Sequence, residues 1–253
     1  MIVDGDLQGL LDSVAPDALL VSEDLWWGQT FGKPTYRRTD DWGLPRGRLT
    51  PFVANTAILR VSTEHLPLLA AWQELLERPD YRAAQSGTWA SRPVHLAGDQ
   101  DALTAVLSSA GWEHVKVAAV RSGSEIVHCV SCGAFTPTER LMLWRGRRKP
   151  VLVHAASKKP WQTIDHGGSF LGQASARAHD VLSPYTLAAR TYEDHLSSDE
   201  VDWSNLEPHR QSWLVRKLSG SNAVLAELPW SFYDATRMQV HRVLAALTGR
   251  KPV

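Results

Sequence analysis

Short β-branched runs alternate with helix-period patterns over the first two thirds of the chain, and this alternation limits the fold to sheet covered by helices. Met1-Ile2-Val3 ends a strand and leads into Leu7, Leu10, Leu11 and Val14, spaced as one face of a helix. Residues 18–21 are a short buried strand. Residues 53–61 are a longer one, followed by a helix capped at Thr63, with a core face of Leu66, Leu69, Ala70, Trp72, Leu75 and Leu76 and a stop at Pro79. Asp99 caps an amphipathic helix carrying Leu103, Val106, Leu107 and Ala110, with Gly111 just past its end. Residues 115–120, 125–129 and 151–154 supply further strands. After Trp161 helical patterns dominate, one opening at Ser183-Pro184 and others ending at Gly220 and Gly249. The expected class is α/β: a mixed sheet flanked by helices over residues 1–165, then a helical region over 166–253.

At 253 residues the chain can bury a large core unaided. Lysine plus arginine equals aspartate plus glutamate at 27 each, so no global field draws in nucleic acid or an anionic membrane. Any basic effect is local. Residues 140–149 hold such a cluster, with Arg140, Arg145, Arg147, Arg148 and Lys149; it reads as a solvated cationic hairpin or as a contact for acceptor phosphates. The 2 cysteines, Cys129 and Cys132, lie beside His128 without a second ligand pair, so they are expected to be reduced structural thiols rather than a zinc site. Apolar stretches are short and interrupted by charge, and no signal peptide is visible, so a cytoplasmic protein without a membrane span is expected.

Four stretches carry residue types suited to chemistry. Asp4-Gly5-Asp6 sets two carboxylates either side of a glycine, where both can reach one hard cation or Asp6 can cap the next helix. Asn55 stands at the mouth of its strand, as a ligand contact or a turn asparagine. In Gly98-Asp99-Gln100-Asp101, capping accounts for one aspartate but does not ask for Gln100. His154 ends an apolar run, and Lys158 and Lys159 follow before Pro160-Trp161, a cation ligand and two point charges for a metal-bound diphosphate or, blandly, a surface loop. Residues 24–48 lack periodicity and hold Trp26, Trp27, Tyr36 and Trp42, either a sugar-stacking flap or a loop pinned to the core.

In this order the four stretches resemble the motifs of the family-8 retaining glycosyltransferases: the Asp-x-Asp, the Asn-bearing strand start, the Asp-Gln-Asp-x-Leu and the His…Lys-Pro-Trp. The resemblance covers about residues 1–165. It implies a GT-A-type fold and transfer of a hexose or related sugar from a nucleotide-sugar donor, a UDP-sugar first among them, to an acceptor it does not define. By the resemblance, Asp4, Asp6 and His154 hold Mn²⁺ or Mg²⁺, which serves as Lewis acid for the leaving diphosphate. Lys158 or Lys159 binds that diphosphate, Asn55 and Asp99 contact the sugar, and Gln100 lies under the anomeric carbon. An amide is a poor nucleophile, so retention implies front-side attack with Gln100 stabilising positive charge on the sugar. The chain departs from the family in two places. Ser157 stands where glycine is usual, and only Met1-Ile2-Val3 precedes the Asp-x-Asp, where the family has a nucleotide-binding half. A second chain supplying that half is one implied partner. The rival expectation is a non-catalytic binding or assembly protein with a degenerate glycosyltransferase fold.

Overall fold

Strand pairing in the computed structural model yields two three-stranded sheets rather than the single mixed sheet expected, within a mixed α/β chain. The structure describes residues 1–24, 37–88, 91–123, 125–129, 150–156 and 183–190, with 141, 173, 192, 232, 233, 235, 236 and 240. In chain order its elements are β1 (Ile2–Val3), α1 (Leu7–Asp12), β2 (Leu19–Glu23), α2 (Arg37–Asp41), β3 (Ala54–Arg60), α3 (Leu66–Glu77), α4 (Pro79–Gln85), α5 (Asp99–Leu107), β4 (Val117–Val120), β5 (Ile126–His128), β6 (Leu152–His154) and α6 (Pro184–Arg190). The chain forms two units, residues 8–122 and residues 1–7 with 123–253. The expected boundary at residue 165 lies outside the described residues.

In the 8–122 unit, β2 is the central strand, antiparallel to β3 and parallel to β4. Its apolar run follows from burial on both faces: Leu19, Leu20 and Val21 are all inaccessible. The β2–β3 register breaks between Val21 and Ser22, which pair with Leu59 and Asn55, so the run read as one unbroken strand contains a bulge. Helix α5 is buried continuously from Asp101 to Leu107, not amphipathic as expected. Its two polar members are hidden because each is bonded: Asp101 to Arg38, and Thr104 to the backbone of Gln100 and Ala54. The N-cap is Gly98, in extended conformation, and Asp99 is the first helical residue. Gly111, at φ 94°, turns the chain beyond the helix.

On α3 the deepest residues are Leu68 and Leu75, and Leu69, Trp72 and Leu76 pack against the core as predicted, while Leu66 and Ala70 are exposed; the 3-10 turn Thr63–His65 precedes the helix. Pro79 ends α3 and is also the first residue of α4. Trp42, only 3 % exposed, belongs to the core, with the Arg78 guanidinium 5.0 Å from its ring centre. Trp26, Trp27 and Tyr36 lie outside the described residues. Gly47 runs against residues 108–110, bonding its N–H to the Ser108 carbonyl at 2.9 Å. A Cβ there would stand 2.8 Å from the Ala110 nitrogen and closer still to the Ser109 carbonyl. Gly47→Ala is therefore expected to cost about 1–3 kcal/mol through overpacking, measured as a lower urea midpoint at unchanged slope.

In the other unit β6 is central, antiparallel to β1 and parallel to β5. The pairings Ile2 with Val153 and Val3 with Leu152 fix the register. Helix α6 opens as its sequence predicts: the Ser183 hydroxyl accepts from the Thr186 N–H at 3.1 Å, with Pro184 first in the helix. Tyr185, Ala188 and Ala189 then pack with Val127, Cys129 and Val153.

Candidate functional site

Asn55, paired with Ser22 just beyond the break in the β2–β3 register, is the centre of a polar network inside the 8–122 unit. Its Nδ2 donates to Asp24 Oδ2 and to Gln100 Oε1, both at 2.9 Å. Its Oδ1 accepts from the Ala57 N–H at 2.9 Å, and the Ser22 hydroxyl donates to its backbone carbonyl at 2.7 Å. Asn55 is 9 % exposed, and its amide is committed within the fold on both donors. With its Oε1 accepting from Asn55, Gln100 keeps Nε2 as the donor that this bond does not use.

Residues far apart in sequence hold the start of α5 against this network. Thr104 Oγ1 donates to the Gln100 carbonyl at 2.8 Å and accepts from the Ala54 N–H at 3.0 Å, joining helix to strand. The Trp72 indole N–H donates to the Asp99 carbonyl at 3.0 Å. Arg38 Nε donates to Asp101 Oδ1 at 2.6 Å. Burial, opposed by the Arg38 charge, raises the Asp101 carboxyl to about 6. Of the predicted residues, Asn55, Asp99 and Gln100 thus lie in one unit around one helix start. Asp24, Arg38 and Thr104 were not singled out, and no local pattern announces them: Asp24 simply follows an apolar run, and its partner is 31 residues away.

The other unit presents a histidine pair. His128 and His154 are register partners on the parallel strands β5 and β6, their Nδ1 atoms 3.1 Å apart and their rings nearly perpendicular. Cys129, next to His128, is buried. Asp4 sits at the opposite end of the β1–β6 pair, its N–H bonded to the Val151 carbonyl at 2.9 Å, whereas His154 is three residues further along β6. At about 3.3 Å per residue, this register sets Asp4 roughly 10 Å from His154 along the strand. Gly5 packs beneath Val151, where a Cβ would stand 3.0 Å from the Val151 Cα. Among the described residues no three His, Cys, Asp or Glu side chains gather as a metal site. The structure therefore does not bring Asp4, Asp6 and His154 together around one cation. Lys158, Lys159, Cys132 and the residue 140–149 cluster, apart from residue 141, lie outside the described residues. Among the described residues no helix is long and apolar enough to cross a membrane.

No protein-family model matches the chain, and neither a curated protein nor a solved structure matches it.

Proposed function

We propose that the chain is a retaining glycosyltransferase of GT-A type, or the catalytic part of one, and that the 8–122 unit holds the sugar of its nucleotide-sugar donor. The observation that carries this reading is the Asn55–Gln100 hydrogen bond, which joins two residues 45 apart that the resemblance assigns, each separately, to the donor sugar. Asp99 supplies an ionisable acceptor for sugar hydroxyls at the first helical position. Gln100 Nε2 supplies a donor for a hydroxyl or a leaving phosphate oxygen. That role replaces charge stabilisation by the amide oxygen, which is turned to Asn55. Asn55 acts through Gln100 and Asp24, so it positions rather than contacts the sugar. Mn²⁺ or Mg²⁺ belongs to the proposal through the donor types of Asp4, Asp6 and His154 alone; their described placement does not converge, and no chemical step is drawn through the cation.

The second reading, a non-catalytic binding or assembly protein, is favoured by that same separation. Melting curves with UDP, GDP and ADP, each with and without Mn²⁺, separate the two. A ligand at a hundred times its dissociation constant adds about 2.7 kcal/mol, a rise of roughly 5–10 °C for a chain of this size. The transferase reading expects a manganese-dependent rise with one nucleotide. Flat curves with all three support the binding-protein reading.

A further inference from the structure

Asp101 shares the first turn of α5 with Asp99 and Gln100, yet the proposed sugar contacts do not use it. It is wholly inaccessible. Arg38 satisfies Oδ1, but Oδ2 is buried without a hydrogen-bond partner. A half-satisfied buried carboxylate is costly, and an amide or apolar residue of similar size would pack there at lower cost. The groups facing it are Arg38 from α2, Asp24 at the end of β2, Tyr81 from α4 and the backbone of Gly98. Arg38 draws the carboxyl toward its charged form; burial and the Asp24 carboxylate push it toward the neutral one. Asp24 is also the acceptor of Asn55 Nδ2, so the charge on Asp101 is felt in the network that orients Gln100.

We infer that the Arg38–Asp101 ion pair is a pH-operated positioning device for Gln100, holding the network in its binding arrangement while Asp101 is charged and releasing it when Asp101 takes up a proton. This rests on the proposed function of the Asp24–Asn55–Gln100 network. Charged, Asp101 clamps Arg38 and ties α2 to the first turn of α5. Protonated on the unpartnered Oδ2, it no longer offers Arg38 a charge, and the tie at the helix start weakens to a hydrogen bond with a neutral acceptor at Oδ1. The balance of the facing groups sets the midpoint near 6, inside a range that cells traverse.

The test reads the side-chain amide signals of Asn55 and Gln100 by ¹H–¹⁵N NMR from about pH 4.5 to 8, using the intact chain. Both are expected to shift together with a midpoint near 6. Asp101→Asn, close to isosteric, should abolish that inflection, and Arg38→Gln should move it upward because the favourable cation is gone. Amides that stay flat through this range in the wild type, or that titrate unchanged in Asp101→Asn, overturn the inference. Should either variant unfold, Asp24→Asn provides the same reading with the midpoint moved downward. UDP-glucose affinity is followed in parallel: about a tenfold loss per pH unit below the midpoint is expected in the wild type and none in Asp101→Asn. Titrating amides without any UDP-glucose binding leave the coupling standing and count against the proposed donor instead.

Discussion

Arg60→Ala is expected to lower the unfolding free energy by about 3 kcal/mol, comparable with the loss of a large core side chain. The guanidinium of Arg60, at the end of β3, gathers carbonyls from the end of α1 and the turn that follows it: Nη1 donates to Leu11 at 2.8 Å and to Val14 at 3.3 Å, and Nη2 donates to Ala15 and Ala18. Turn bonds already serve two of these acceptors, from the Val14 N–H to Leu11 at 3.3 Å and from the Ala18 N–H to Ala15 at 3.0 Å, so truncation removes the charged donor from all four and leaves Val14 and Ala18 to find new partners. A hydrogen bond from a charged donor contributes roughly 1.5–3 kcal/mol, and shared geometry keeps the total well below the sum. Lysine offers one point charge in place of a planar fork and should recover less than half of the loss. Urea unfolding of the two variants checks this; Arg60→Ala within about 0.5 kcal/mol of wild type, the range of ordinary surface changes, would refute it.

The second large effect is a change in how stability varies with pH. An aspartate unfolds to a pKa near 3.8, and Asp101 titrates near 6 in the fold, so between these values the native state holds more protons than the unfolded one. Stability contributed by this group is therefore fully present below about pH 4 and is lost as pH rises through 6. Two pKa units correspond to about 3 kcal/mol. Asp101→Asn should remove this fall, so its stability relative to wild type improves between about pH 4 and pH 7.5 by an amount of that order. An unchanged difference across the range would show that Asp101 is charged or neutral alike in both states. The sign is informative: the charged form that the positioning device requires is the form that destabilises the fold.

The strand at 18–21, the cap at Ser183-Pro184 and the turn at Gly111 were legible because each depends on local chemistry. A short continuous apolar run, a hydroxyl before proline and a glycine beyond a helix act within a few residues. What escaped depends on partners distant in sequence. Helix α5 reads as amphipathic because Asp101 and Thr104 are polar, and only Arg38 and Ala54 explain their burial. The bulge at Asn55 requires Ser22 opposite it. Leu66, first in α3, fits the predicted apolar face but is exposed, whereas Leu68 is inaccessible. The Asp-x-Asp and His154 stretches share a sheet, but antiparallel register, which residue types do not encode, sets them at opposite strand ends.

The central claim is that Gln100 Nε2 addresses the sugar of a nucleotide-sugar donor, and the most direct test compares UDP-glucose with UDP by calorimetry in the wild type and in Gln100→Ala. The sugar is expected to add affinity in the wild type, by about tenfold for one good hydrogen bond, and the advantage to vanish in Gln100→Ala while UDP affinity is retained. Equal affinity for UDP and UDP-glucose in the wild type, or a sugar advantage that survives Gln100→Ala, would contradict it.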